Sequence, residues 1–165
     1  MTMDTKIALI ALAVSLIALF QSFYFWRRSF RPIVTAMLKT VGSGNEAIAF
    51  DLVLLNSGSI PARNVTLHIH DKRELDAALD RGATSERRRG FLSCFDAKTV
   101  VPIIHNGAEV SCSFGFTSIK DSFWKQAAEF EVLVRYQGWF GRVYIENQTI
   151  KIVSSKSFTG FSWGA

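Results

Sequence analysis

Residues 7–26 read IALIALAVSLIALFQSFYFW, twenty positions without a charge, and Arg27 and Arg28 follow at once. At about 1.5 Å per residue such a helix is roughly 30 Å long, the thickness of the hydrocarbon core of a bilayer. The run closes on Phe23, Tyr24, Phe25 and Trp26, the pattern of an interfacial aromatic belt before a stop signal. A cleaved signal peptide has a shorter apolar stretch and a small-residue cleavage site instead. The sequence therefore divides into a short tail (1–6), a retained transmembrane helix (7–26) and a basic juxtamembrane link (27–32).

Basic residues resist translocation. Asp4 and Lys6 precede the helix, whereas Arg27, Arg28 and Arg31 follow it. That bias favours a single-pass protein of the plasma (inner) membrane with its domain in the cytoplasm; a signal anchor with an exported domain stays open. The same three arginines are placed to attract anionic lipid headgroups, each worth about 1 kcal/mol near the surface. Within the helix Ala8, Ala11, Ser15, Ala18 and Ser22 recur at steps of three and four and share one stripe. Small side chains let helix backbones approach in lipid, so the stripe predicts pairing with a second copy or with a membrane partner's helix. Ala13 lies off the stripe, so the small residues are not confined to it.

Past Pro32 the hydrophobic period changes from helical to two. Strands are expected over 33–40, 47–55, 64–70, 99–104, 109–116, 130–136 and 142–153. In the sixth, Phe130, Val132, Val134 and Tyr136 alternate with Glu131, Leu133 and Arg135, as in a strand with one buried face. Glycine- and asparagine-rich turns separate the runs, as in Asn56-Ser57-Gly58 and Asn106-Gly107. Many short strands so punctuated predict one antiparallel β-sandwich over 33–153. An insertion at 71–90 should hold a short helix at 73–79 and a mobile basic loop. Residues 122–129, with Phe123 and Trp124, should form a helical turn capping one end. The tail 154–165 carries Phe158, Phe161 and Trp163 among Ser and Gly, and could dock on a partner or on its own domain.

The run Leu54-Leu55-Asn56-Ser57-Gly58-Ser59-Ile60-Pro61-Ala62-Arg63-Asn64-Val65 resembles the N-x-G-x-x-P-A-x-N-V signature of immunoglobulin-like bacterial domains of the CARDB-like kind. Arg31-Pro32 and the segment from Tyr136 to Tyr144 are similar to bacterial proteins that join one N-terminal membrane helix to such a domain. The resemblance covers about 31 to 153 and implies a fold, with no catalytic residue to carry over. Read physically, Asn56 and Gly58 suit a turn needing positive φ, Pro61 cannot donate to a sheet, and a strand restarts at Ala62.

Chemistry is sparse. No GxSxG, HExxH or phosphate-binding glycine loop is present. His68 and His70, two apart on an expected strand, face the same side and are the one candidate metal pair, but no third ligand stands at a fixed spacing. Alternation puts Val65, Leu67 and Ile69 in the core and both histidines toward solvent. Cys94 and Cys112 are the only cysteines: one disulfide in an exported domain, thiols in a cytoplasmic one. The net charge of +5 is concentrated beside the helix and in the run Arg87, Arg88 and Arg89. That run lacks interleaved aromatics and makes a poor nucleic-acid surface, though it could meet lipid or an acidic partner. Trp139 and Phe140 fall at a predicted hairpin tip, where aromatic side chains ask for a contact. The reading is a membrane-anchored, non-catalytic interaction or accessory subunit without a cofactor or small-molecule substrate. The alternative is an exported cell-envelope domain with a metal-binding or adhesion-like role.

Overall fold

Pro32 decides where the first element ends, because its ring disfavours helical backbone at the preceding residue. Helix α1 accordingly runs Met3–Ser29 and residues 30–33 lead straight into strand β1, Val34–Ser43. The computed structural model describes residues 3–43 and 46–153, so the aromatic tail with Phe158, Phe161 and Trp163 lies outside the described residues. After β1 come β2 (Ala47–Asn56), β3 (Ala62–Ile69), α2 (Lys72–Ala78), α3 (Ser85–Phe91), β4 (Val101–Ile104), β5 (Glu109–Ser118), β6 (Glu129–Gln137) and β7 (Val143–Lys151). Single 3-10 turns stand at Ser93–Phe95 and Trp139–Gly141.

The seven strands make two antiparallel sheets, in the orders β1-β2-β5 and β4-β3-β6-β7. This is the expected immunoglobulin-like sandwich. In the constant-type immunoglobulin arrangement the fourth strand lies beside the fifth; here β4 pairs with β3 instead. Alternation built the buried faces. Phe130, Val132, Val134 and Tyr136 on β6 are at most 1% exposed, and Val65 and Leu67 of β3 join them in the core. A bulge re-aims β5: Phe114 and Gly115 oppose Phe50 alone, and Gly115 adopts φ +83°. A Cβ there would strike the Phe123 ring, so glycine is required.

Two expectations fail. Residues 80–89 are not a loop throughout, since α3 begins at Ser85. Thr84 caps it by accepting from the Arg87 amide, while Glu86 in the first turn and Arg88 and Arg89 in the last complement the helix dipole. Nor does 122–129 form a helical turn. Asp80 N donates to Phe123 O (2.9 Å) and Lys125 N to Ala78 O (2.9 Å), which draws the segment out alongside Leu79. Phe123 and Trp124 are fully buried, and Trp124 stacks between Phe114 of β5 and Phe130 of β6.

Candidate membrane-interface site

Among the described residues, α1 is long and apolar enough to cross a membrane, and its apolar side chains are exposed. Ala8, Ala11, Ser15, Ala18 and Ser22 are all uncovered. Ser15 Oγ donates to Ala11 O at 2.8 Å, so its proton is engaged inside the helix and the stripe offers close approach more than hydrogen bonding. At the helix end Trp26 packs against Phe23 (6.1 Å between ring centroids) and Phe30 (5.4 Å). It also meets Trp139 at 5.5 Å, so an aromatic residue expected to need a contact finds one on the chain's own helix while staying partly exposed. Phe140 lies in the same 3-10 turn.

The link is held along its length. Ser59 Oγ donates to Ser29 O (3.2 Å) and Ser59 N to Arg31 O (3.3 Å), while Ser57 N donates to Ile33 O (2.9 Å). Tyr136 OH lies within hydrogen-bond reach of Pro32 O (3.3 Å) and Glu146 Oε1 (2.8 Å). Burial and the Glu146 carboxylate hold that phenol well above the ordinary tyrosine range, so it remains a donor. Neither Asn56 nor Gly58 adopts the positive φ expected of them; a Cβ on Gly58 would overlap the backbone of Arg31 and Ile33, so close approach is why the turn carries glycine here. The link is bolted to the sandwich.

Two arginines of the basic cluster bound the space between helix and sandwich. A cavity of about 460 Å³ is walled by Phe23, Trp26, Phe30 and Trp139, with Arg27 and Arg142 beside them. A neighbouring hollow of about 230 Å³ shares Arg27, Arg142 and Tyr144 and adds Arg31 and Tyr24. The Arg142 guanidinium lies over the Tyr144 ring, 5.3 Å from its centroid. Among the described residues none of Arg27, Arg31 and Arg142 forms an ion pair. Arg28 follows Arg27 in the last turn of α1. Arg142 and Tyr144 carried no site role in the sequence, where they stand only in the segment of the resemblance and in the last expected strand; their signal was the aromatic-arginine interleaving of YQGWFGRVY.

The other candidates are dispersed. Arg87 bonds Asp121 Oδ2 (2.6 Å) and Gly82 O (3.0 Å) and lies over Phe116, and Arg88 bonds Asp76 Oδ1 (3.1 Å) and Ala83 O (2.9 Å). These two fasten α3 to its neighbours, leaving Arg89 exposed. His68 is half-buried with Nε2 3.2 Å from Thr66 Oγ1, whereas His70 falls one residue beyond β3, so the two do not share a strand. Among the described residues no three His, Cys, Asp or Glu side chains gather as metal ligands.

Cys94 and Cys112 are free thiols that meet, the first buried and the second half-buried. The hydrogen bond between them, with burial, pushes Cys94 up, while the same bond from Cys94 holds Cys112 below the ordinary thiol range. A pair with these opposite shifts ionises first at Cys112, whose thiolate the Cys94 S–H stabilises. Iodoacetamide added to the folded chain as pH is raised should therefore alkylate Cys112 first and Cys94 only on unfolding. Peptide mapping that finds Cys94 labelled first would reverse this assignment.

Fold and site together define a class: an immunoglobulin-like antiparallel sandwich fastened to the end of an apolar helix long enough to cross a membrane. Residues 3–155 match the family described as a domain of unknown function, DUF8453, and the chain belongs to that family. The match begins within the helix, so helix and sandwich belong to one family unit. No curated protein matches the chain.

Proposed function

We propose that this protein is a single-pass, membrane-anchored interaction or accessory subunit, non-catalytic, that holds its sandwich against the cytoplasmic face of the membrane. The observation that carries the reading is the link: residues 30–33 join helix to strand, and Ser57, Ser59 and Tyr136 grip it. A sandwich so tethered has almost no reach, so its partner must itself be in or on the membrane. The small-residue stripe supplies a surface for a second copy or a partner's helix. The resemblance to CARDB-like modules favours binding over catalysis.

The test has three readouts on the full chain. It should stay with the membrane pellet after an alkaline carbonate wash. A C-terminal reporter active only in the cytoplasm should work, and one active only outside should not. Cross-linking in intact membranes should give one defined larger species, which Ala11→Leu, Ser15→Leu and Ala18→Leu together remove. Release by carbonate, or cross-linking that yields only the single chain, would overturn the reading. An active outside reporter would overturn the cytoplasmic orientation and move attention to His68 and His70.

A further inference from the structure

We propose that the cavity between the end of α1 and the turn joining β6 to β7 binds the phosphate of an anionic phospholipid. This rests on the membrane-anchored reading and names a ligand for that same surface. Arg27, Arg31 and Arg142 are brought around adjoining hollows with no carboxylate paired to any of them among the described residues. Like charges gathered in one place repel, and an anion there removes the repulsion while gaining charge-assisted hydrogen bonds. Guanidinium suits phosphate better than ammonium does, because its planar fork offers two parallel donors. Among the described residues, the three cations lining these two hollows are all arginines.

The walls distinguish a lipid from a free anion. Phe23, Trp26, Phe30 and Trp139 are apolar surface that inorganic phosphate has no use for, and they continue directly into the exposed apolar face of α1. An acyl chain can follow Phe23 toward the hydrocarbon while its phosphate stays with the arginines. The depth agrees, since the uncharged run ends at Trp26 and the aromatic and basic residues beyond it belong at headgroup level. A volume of about 460 Å³ falls within the roughly 300–1,000 Å³ usual for ligand sites. Phosphatidylcholine would bring its own cation toward three arginines, so the site should prefer a lipid of net negative charge. Arg27 lies in the last turn of α1, Arg31 stands just beyond it, and Arg142 comes from the far end of the domain, so the bound lipid would clamp sandwich to anchor.

The full chain, delipidated in detergent, would be offered equal amounts of dioleoyl phosphatidylglycerol and dioleoyl phosphatidylcholine and read by native mass spectrometry. One phosphatidylglycerol should be retained at a preference of roughly tenfold or more, since each juxtamembrane cation is worth about fivefold and three act together. Arg142→Gln should lower its retention about fivefold, and Arg27→Gln with Arg31→Gln further, while Arg89→Gln changes nothing. Arg142 is exposed and forms no ion pair among the described residues, and near-ultraviolet circular dichroism would verify that each variant keeps the native fold. Equal retention of the two lipids, or an Arg142→Gln chain that retains phosphatidylglycerol like the parent, overturns the proposal. Displacement of the lipid by millimolar inorganic phosphate would also overturn it, because the site would then read the anion alone. A chain that resists carbonate yet shows no lipid preference keeps the anchor and loses the site, so the two failures are separable.

Discussion

Asn56→Ala is expected to lower the stability of the sandwich by about 4 kcal/mol or more, a large part of the roughly 5–15 kcal/mol that holds a domain folded. The Asn56 side chain is fully buried. Its Oδ1 accepts from Ile33 N (3.2 Å) and Gly58 N (3.0 Å), and its Nδ2 donates to Ile60 O (2.8 Å) and Ile104 O (3.0 Å). One amide thus satisfies four backbone groups on the link, the turn after β2 and the end of β4. Alanine leaves all four without that partner, at about 1–3 kcal/mol for each buried group, and the low end of that range gives the figure above. Thermal unfolding of the full chain in detergent, followed by near-ultraviolet circular dichroism, should show a midpoint lower by roughly 10–20 °C. Asn56→Asp separates the acceptor role from the donor role. A carboxylate keeps the bonds from Ile33 and Gly58 but faces the carbonyls of Ile60 and Ile104, so its folded-state pKa is raised. The loss should be mild in acid, where the protonated group can donate, and grow as pH rises above the ordinary carboxylate range. An Asn56→Ala midpoint within a few degrees of the parent would show that the four bonds are dispensable.

That network also marks the limit of reading the sequence. Asn56-Ser57-Gly58 is legible as a turn, because Asn and Gly have local reasons to be there. Nothing local tells that the Asn56 amide reaches Ile33, 23 positions earlier, and Ile104, 48 positions later. The strands were legible for a similar reason in reverse: alternation along β6 is a local pattern, and burial follows it residue by residue. Helix α3 was missed because it buries none of its own residues and so has no apolar period; Thr84 before Glu86, with Arg88 and Arg89 behind, was the capping signal available. Trp139 was legible as a side chain needing a partner. Its partner, Trp26, stands on the far side of the whole domain in sequence, and the cavity with Arg142 exists only once the β6–β7 turn returns to the helix.

Trp124→Ala should cost about 3–5 kcal/mol, because it removes the ring that joins the two sheets. Trp124 stacks on Phe114 of β5 at 4.8 Å and on Phe130 of β6 at 5.4 Å, with Phe123 edge-on at 4.9 Å. Its indole Nε1–H donates to the Phe114 carbonyl, filling an acceptor next to the Gly115 bulge. In antibody domains a buried Trp of the third strand packs against a disulfide that bridges the second and sixth strands. Here β2 and β6 contain no cysteine, and the tryptophan comes from the connection between β5 and β6. The aromatic stack joins the two sheets with no disulfide between β2 and β6. Trp124→Phe keeps most of the stack and loses the indole donor, so its cost should be about 1–3 kcal/mol, the penalty of one unmet buried acceptor. Urea unfolding of the full chain in detergent should rank parent above Trp124→Phe above Trp124→Ala, with both variants destabilised equally under reducing and oxidising conditions. If Trp124→Phe were as damaging as Trp124→Ala, the indole hydrogen bond and not the stack would be what couples the sheets.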